Sequence, residues 1–62
     1  MKARAKHDVR ILMEDGRFSN FKQEKEYRCM LKGNSVILID ENGMGFLCDT
    51  MEDFRYDFEL VN

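Results

Sequence analysis

The chain has 62 residues, which is near the lower size limit for a single hydrophobic core that folds unaided. Its hydrophobic fraction of 44% and its seven aromatic residues are more typical of a compact domain than of a disordered tail. Two cysteines are too few for a disulfide scaffold, and no apolar run approaches the roughly 20 residues that span a bilayer. We therefore expect a cytoplasmic protein with reduced thiols and no membrane association.

The formal net charge of −2 conceals an asymmetry along the chain. Residues 1–39 carry a charge of +4, and residues 40–62 carry a charge of −6. Such blocks either attract each other in the fold or form two differently charged faces. A domain of this size often has only about 3–5 kcal/mol of stability, so a homodimer or a bound partner would matter for it.

The first seven residues (MKARAKH) are polar and basic, and we expect them to form a mobile end before a domain covering residues 8–62. The alternative is a basic arm that touches phosphate or an acidic partner. Residues 9–13 (VRILM) are predicted to form the first strand. The next eleven residues lack periodicity, which indicates a long loop with Phe18 and Phe21 as apolar anchors. A short helix capped at Ser19 or Asn20 is the weaker interpretation, since so short a segment is a poor helix.

Residues 25–32 are predicted to form the second strand, because alternation places Tyr27, Cys29 and Leu31 on one face. Residues 33–34 (GN) are typical of a two-residue hairpin turn. Residues 35–40 (SVILID) are apolar on both faces. Such a run predicts the central and most buried strand.

Residues 40–43 (DENG) are the strongest turn signal, because Asn-Gly favours the primed hairpin types. The fourth strand is predicted at residues 44–48, where Gly45 indicates a bulge or a close approach by another strand. Asp and Thr at 49–50 can cap a helical turn over residues 52–54. The final strand is predicted at residues 58–61 (FELV). Five short strands with one helical turn before the last predict an all-β, five-stranded SH3-like barrel, which would leave no open sheet edge.

This order of elements resembles SH3-like barrels, in which the long first loop corresponds to residues 14–24 and the helical turn to residues 50–55. Residues 21–61 are also similar to small uncharacterised proteins of phages and mobile elements of Gram-positive bacteria. The matching residues are Phe21, Lys25, Tyr27, Leu38, Ile39, Asp40, Gly43, Phe54, Phe58, Glu59, Leu60 and Val61. That pattern usually has glycine where this chain has Glu24, so we expect a different geometry at the entry to the second strand. The resemblance implies a fold and a phage or prophage origin, and it carries no catalytic residues.

Catalytic and metal-binding chemistry has little support in the residues. The only histidine, His7, lies in the segment expected to be mobile, where nothing positions it for acid–base work. Cys29 and Cys48 lack the spacing of structural zinc sites, and they are expected to be core residues, near each other on neighbouring strands. We predict a non-enzymatic protein without cofactor or metal.

The acidic and the basic residues of the chain each suggest a further binding hypothesis. The acidic last third could mimic a nucleic-acid backbone, although a solvated surface explains it more simply and no calcium-loop spacing is present. Nucleic-acid binding by the basic half is the alternative function, although the overall acidity argues against it. Its candidate residues are Lys2, Arg4, Lys6 and Arg10, with Arg17, Lys22, Lys25, Arg28 and Lys32 as further cations.

Binding to another protein is the leading hypothesis, because aromatic residues and arginine dominate interface energies. The candidate contact residues are Arg17, Phe18, Phe21, Lys22, Met51 and Tyr56. The competing interpretation of Phe18 and Phe21 is that both fill the ends of the barrel, since so small a core needs its aromatics. The expected partner is a host or phage protein, and a homodimer is also compatible with the sequence.

Overall fold

The computed structural model describes residues 1–61, which form a small all-β fold with one short helix. The elements are β1 (Lys2–Ala5), β2 (Val9–Leu12), β3 (Phe18–Phe21), β4 (Glu26–Lys32), β5 (Ser35–Ile39), β6 (Gly45–Cys48), α1 (Met51–Asp57) and β7 (Phe58–Val61). Five of the strands form an antiparallel sheet in the order β6-β5-β4-β1-β7, with β4 in the middle, and β2 and β3 form a separate hairpin.

Strand β1 belongs to the part of the chain that was expected to be a mobile end. It lies between β4 and β7, with Ala3 opposite both Tyr27 and Leu60. Ala3 and Ala5 are fully buried, whereas Arg4 points outward between them. The sequence prediction missed this strand because alanine buries little area and has a low strand propensity. The alternation of small and charged residues was the available signal.

Strand β3 lies in the segment that was predicted to be a loop. It pairs with β2 in a register that sets Val9 opposite Phe21 and Leu12 opposite Phe18. Phe21 therefore points toward the core and Phe18 away from it, as the period of two in a strand requires. The predicted strand at residues 9–13 is confirmed to within one residue.

The meander β4–β5–β6 follows the predicted pattern closely. The predicted strands at 25–32, 35–40 and 44–48 are each confirmed to within one residue at either end. The predicted centre of the sheet is wrong, because β4 rather than β5 occupies the middle position. In β5, Val36 and Leu38 are fully buried, while Ile37 and Ile39 remain half-buried on the outer face.

The two hairpin turns of the meander differ in type. Gly33 has φ of +62° within a two-residue loop between Lys32 and Ser35, as predicted. Gly43 has φ of +84°, but Asn42 does not have a positive φ, so this turn is not the predicted primed type I′. The Asp40 N–H donates to the Met44 carbonyl at 2.9 Å, which closes a three-residue loop with glycine in the left-handed position.

The core lies between the sheet, the inner face of the hairpin and the helix. Phe21, Phe54 and Phe58 are its largest fully buried side chains. Helix α1 begins after Thr50, whose hydroxyl oxygen accepts a hydrogen bond from the Asp53 N–H at 3.1 Å, so the predicted cap is confirmed. Phe54 on this helix stacks against Phe58, with 5.7 Å between ring centroids.

The described strands do not close into a barrel. Strands β6 and β7 stand at the two edges of the five-stranded sheet, and within residues 1–61 no ladder joins either edge to the hairpin. The prediction of a small all-β protein with a short helix before the last strand is therefore confirmed. The predicted closure into a five-stranded barrel is not confirmed.

Candidate partner-binding surface

Phe21 and Phe18, which were predicted together as contact residues, have opposite environments. The Phe21 ring packs edge-to-face against Tyr27 and Phe58, with centroid distances of 4.8 and 5.3 Å. It is 1% exposed, so its assignment to a binding surface is wrong and its role is to anchor the hairpin to the core. Phe18 is 41% exposed on the opposite face of the same strand.

A buried polar contact holds the hairpin beside the β5–β6 turn. The Ser19 hydroxyl donates to Oδ2 of Asp40 at 2.6 Å, and both residues are buried. Oδ1 of Asp40 accepts from the N–H groups of Asn42 and Met44, each at 2.9 Å. Burial acts to raise the pKa of Asp40, but these hydrogen bonds outweigh it and hold the pKa below its usual value.

The outer face of the hairpin carries an exposed apolar pair with a cation. Leu12 and Phe18 are opposite each other in the β2–β3 ladder, and Leu12 is 64% exposed. The Arg10 guanidinium carbon lies 3.7 Å from the centroid of the Phe18 ring, which is a cation–π contact. Arg17 turns away and pairs with Asp15, which raises the pKa of Arg17 and lowers that of Asp15.

A shallow apolar groove of about 440 Å³ runs between the hairpin and strand β6. A second depression continues from Phe46 and Leu47 toward Tyr56 on helix α1. Tyr56 is 80% exposed and Leu47 is half-exposed. We call this region the β6 surface, and its apolar side chains are Leu12, Met44, Phe46, Leu47 and Tyr56.

Strand β6 itself is an edge strand with the sequence GFLC. An edge strand presents unpaired backbone groups to which another strand can add, and proteins usually guard such edges with lysine, proline or a bulge. No charged residue or proline lies in this strand. The edge is therefore accessible both through its backbone and through the apolar groove beside it.

Carboxylates surround the β6 surface. Glu14 and Asp15 line its hairpin side, and three more line the helix side: Asp49, Asp53 and Asp57. The last three lie close enough to Cys48 to act on it: burial and the charges of Asp57, Asp53 and Asp49 raise the pKa of this thiol to about 11. Asp15 pairs with Arg17 and Asp57 pairs with His7.

The predicted contact residues do not form one patch. Tyr56 is exposed on the β6 surface, and Phe18 is exposed near it. Met51, by contrast, is half-buried and packs against the core. Lys22 lies at the other end of the hairpin, where its N–H donates to the Tyr27 hydroxyl at 2.7 Å. The sequence prediction missed Leu12 and Leu47, since alternation alone does not say which strands lie at an edge.

The four residues of the nucleic-acid alternative do not build a free basic face. Arg4 pairs with Glu26 at 3.3 Å and with Glu59 at 3.1 Å, because β1 lies between β4 and the acidic β7. Lys6 donates to the Arg55 carbonyl at 2.5 Å, and Arg10 covers Phe18. Lys2 is exposed on β1. Folding thus brings the basic and acidic halves together.

The residues considered for catalysis are engaged in structural contacts or buried in the core. His7 Nε2 lies 2.6 Å from Oδ1 of Asp57, which ties the segment after β1 to the end of α1. Cys29 and Cys48 are buried free thiols. Cys29 lies on β4 and Cys48 on β6, and β5 separates these two strands, so the expectation that the cysteines lie on neighbouring strands is wrong. Burial also raises the pKa of Cys29, which makes both thiols poor nucleophiles at neutral pH. Residues 1–61 contain no cluster of three His, Cys, Asp or Glu side chains that could hold a metal ion.

No protein-family model, curated protein or solved structure matches this chain. In the part of the chain described here, the one helix is too short to cross a membrane.

Proposed function

We propose that this chain is a small, non-enzymatic protein-binding module that binds its partner through the β6 surface. The observation that carries the proposal is the run of exposed apolar side chains, Leu12, Leu47 and Tyr56, beside an edge strand without charged residues. Exposed apolar patches next to an unguarded edge are typical of interaction sites. Phe18, held by Arg10, extends this surface over the hairpin.

The surroundings of the β6 surface favour a particular kind of partner. Glu14, Asp49 and Asp53 have no ion-pair partner within residues 1–61. A partner with Lys or Arg beside its apolar side chains would complement these carboxylates and be steered toward them. An extended segment of that composition could add to β6 by backbone hydrogen bonds while its side chains enter the groove.

The connectivity supports an SH3-like origin for the scaffold. The resemblance places the long first loop at residues 14–24, which contain strand β3. If β1 is taken as the first strand, the connection to β4 is residues 6–25 and contains the whole β2–β3 hairpin, and α1 directly precedes the last strand. We propose on this basis a divergent SH3-like fold from a phage or mobile element. In that context the module would act in the cytoplasm on a host or phage protein.

A capture experiment tests the function. Immobilised protein should retain a specific protein from a bacterial lysate, and the purified partner should then bind in a direct titration. Tyr56→Ala should weaken this binding at least about tenfold, because exposed aromatic anchors commonly dominate an interface. Leu60→Ala is the matched control, since Leu60 is also an exposed apolar residue but lies on the opposite edge strand.

Two results would overturn the proposal. Equal binding by the Tyr56→Ala protein and by wild type would remove the β6 surface as the site. A steep salt dependence of binding to single- or double-stranded DNA, together with loss of protein capture after nuclease treatment, would instead support nucleic-acid binding.

A further inference from the structure

The outer face of the meander β4–β5–β6 is a second exposed surface, which meets the β6 surface at Leu47 and Asp49. Its central row consists of Met30, Ile37 and Leu47, which are direct neighbours across the three strands. Met30 is 56% exposed and Leu47 is 51% exposed. We call this the sheet face, and its residues are Arg28, Met30, Lys32, Ser35, Ile37, Ile39, Gly45, Leu47 and Asp49.

The centre of the sheet face is apolar and flat. Gly45 lies opposite Ile39 and has no side chain, so no group projects from the sheet at this position. A Cβ placed there would be 3.7 Å from Ile37 Cγ2 and 3.8 Å from Ile39 Cδ1. The two isoleucines therefore pack close to Gly45, which keeps this part of the face apolar and flat.

The charges of the sheet face are separated to its two sides. Arg28 and Lys32 lie on β4, and Asp49 follows β6, where its carbonyl accepts from the Ser35 hydroxyl at 2.9 Å. None of these three charged side chains belongs to an ion pair within residues 1–61. The face thus has a cationic side, an apolar centre and an anionic side.

We infer that the sheet face binds a second copy of this chain about a two-fold axis parallel to the strands. That axis lays β4 of one copy over β6 of the other. Met30 then faces the other copy's Leu47, and Lys32 faces the other copy's Asp49, so both ion pairs of the dimer form at once. An axis across the strands would instead place Lys32 against Arg28 of the other copy, which like charges disfavour.

The size of the sheet face makes this a weak dimer. Three strands about 4.8 Å apart, with β5 five residues long, cover roughly 240 Å² per copy, about a third of a standard interface. We expect association that rises with concentration and decreases with added salt, since the ion pairs are at the rim. The sheet face shares Leu47 and Asp49 with the β6 surface, whereas Leu12 and Tyr56 do not lie on it, so a variant at Tyr56 distinguishes the dimer from the proposed function.

Sedimentation equilibrium of the full chain, from micromolar to millimolar concentration, tests the dimer. Wild type should approach twice the monomer mass. Lys32→Glu should weaken association about tenfold, because two attractive contacts per dimer become repulsive. The double variant Lys32→Glu with Asp49→Lys should recover most of the association, since it restores both pairs with reversed polarity.

Lys22→Glu is the matched control, because it changes the net charge equally at an exposed site outside the sheet face. It should leave association within about twofold of wild type. Circular dichroism and thermal melting check that each variant folds. The inference is overturned if wild type stays monomeric at millimolar concentration, if the double variant is as weak as Lys32→Glu, or if Tyr56→Ala abolishes the dimer.

Discussion

The five-stranded sheet and the β2–β3 hairpin are held in the molecule by different means. Each strand of the sheet is joined to its neighbours by a backbone ladder, so its stability is spread over many hydrogen bonds. The hairpin has no ladder to the sheet within residues 1–61. It depends on the inward side chains Ser19 and Phe21 and on the loop that follows them.

The difference shows where this small fold is vulnerable. A ladder loses little when one side chain changes, whereas the hairpin is docked by a few inward side chains and depends most on the largest of them, Phe21. The hairpin also supplies one wall of the β6 surface. Its attachment to the sheet therefore couples stability to binding, and the variants below separate the two regions.

Replacing Phe21 with alanine should have the largest effect. Loss of a fully buried phenylalanine costs about 3–5 kcal/mol, which is comparable to the whole stability expected of a domain this small. We expect the Phe21→Ala protein to be largely unfolded at 25 °C by circular dichroism. Phe18→Ala on the same strand is the control, since its exposed ring should cost less than about 1 kcal/mol. A cooperative Phe21→Ala melt close to that of wild type would contradict this account of the hairpin.

Removal of the Asp40 carboxylate should have the next largest effect. Asp40→Ala leaves the Ser19 hydroxyl and two backbone N–H groups without their acceptor, at a cost of about 2–3 kcal/mol. Chemical denaturation measures this loss. Ser19→Ala should cost about 1 kcal/mol, since it removes only one of the three hydrogen bonds. Equal losses in the two variants would mean that the turn does not depend on Asp40 itself.

The same residue gives stability a defined pH dependence. The pKa of Asp40 is lower in the folded protein than in the unfolded chain, so the ionised carboxylate favours folding above about pH 4. This contribution is lost as the pH falls through the folded value. The stability difference between wild type and Asp40→Asn should therefore narrow from pH 7 to pH 3. A constant difference over that range would contradict the lowered pKa.

Substitution of Glu24 should have a smaller effect, and this effect should be an increase in stability. Glu24 has a φ of +68° and is the one non-glycine residue with positive φ in residues 1–61. Its N–H donates to the Ala5 carbonyl at 2.8 Å, which holds the strained conformation in place. Glu24→Gly should raise stability by about 0.5–1 kcal/mol, because only residues with a Cβ find this region costly. Glu24→Ala keeps the Cβ and should gain nothing. An equal gain in both variants would point to removal of the charge instead.

Glu24 also illustrates a limit of what the sequence could predict. The replacement of the glycine in the resemblance led us to expect a different geometry, whereas Glu24 has the left-handed φ that a glycine would adopt. Strands β4–β7 and the cap of α1 were predictable because alternation, turn residues and caps act over a few neighbouring residues. The type of the β5–β6 turn was predicted wrongly. The Asp40 carboxylate accepts hydrogen bonds from the loop, and these contacts compete with the preference of Asn-Gly for a primed turn.

The remaining features depend on contacts between distant parts of the chain. Strand β1 exists because Ala3 fits between Tyr27 and Leu60, and the local alternation of small and charged residues does not name these partners. The basic and acidic halves neutralise each other through Arg4 for the same reason. The β6 surface was unpredictable because the exposure of Leu47 depends on which strands lie at the edges. Tyr56 and the adjoining Phe18 were predicted as contact residues, whereas Leu12, Met44, Phe46 and Leu47 were not.

The smallest expected effect concerns the outer side of the hairpin, where Arg10 covers Phe18. An exposed cation–π contact contributes about 0.5–1 kcal/mol, so Arg10→Gln should lower stability by about that amount, while Arg10→Lys should retain part of it. Denaturation of Arg10→Gln in wild-type and Phe18→Leu backgrounds separates the contact from other effects of the charge. If the arginine acts through the ring, its removal should cost almost nothing once Phe18 is gone. The same loss in both backgrounds would show that Phe18 is held on the β6 side of the molecule by the hairpin alone.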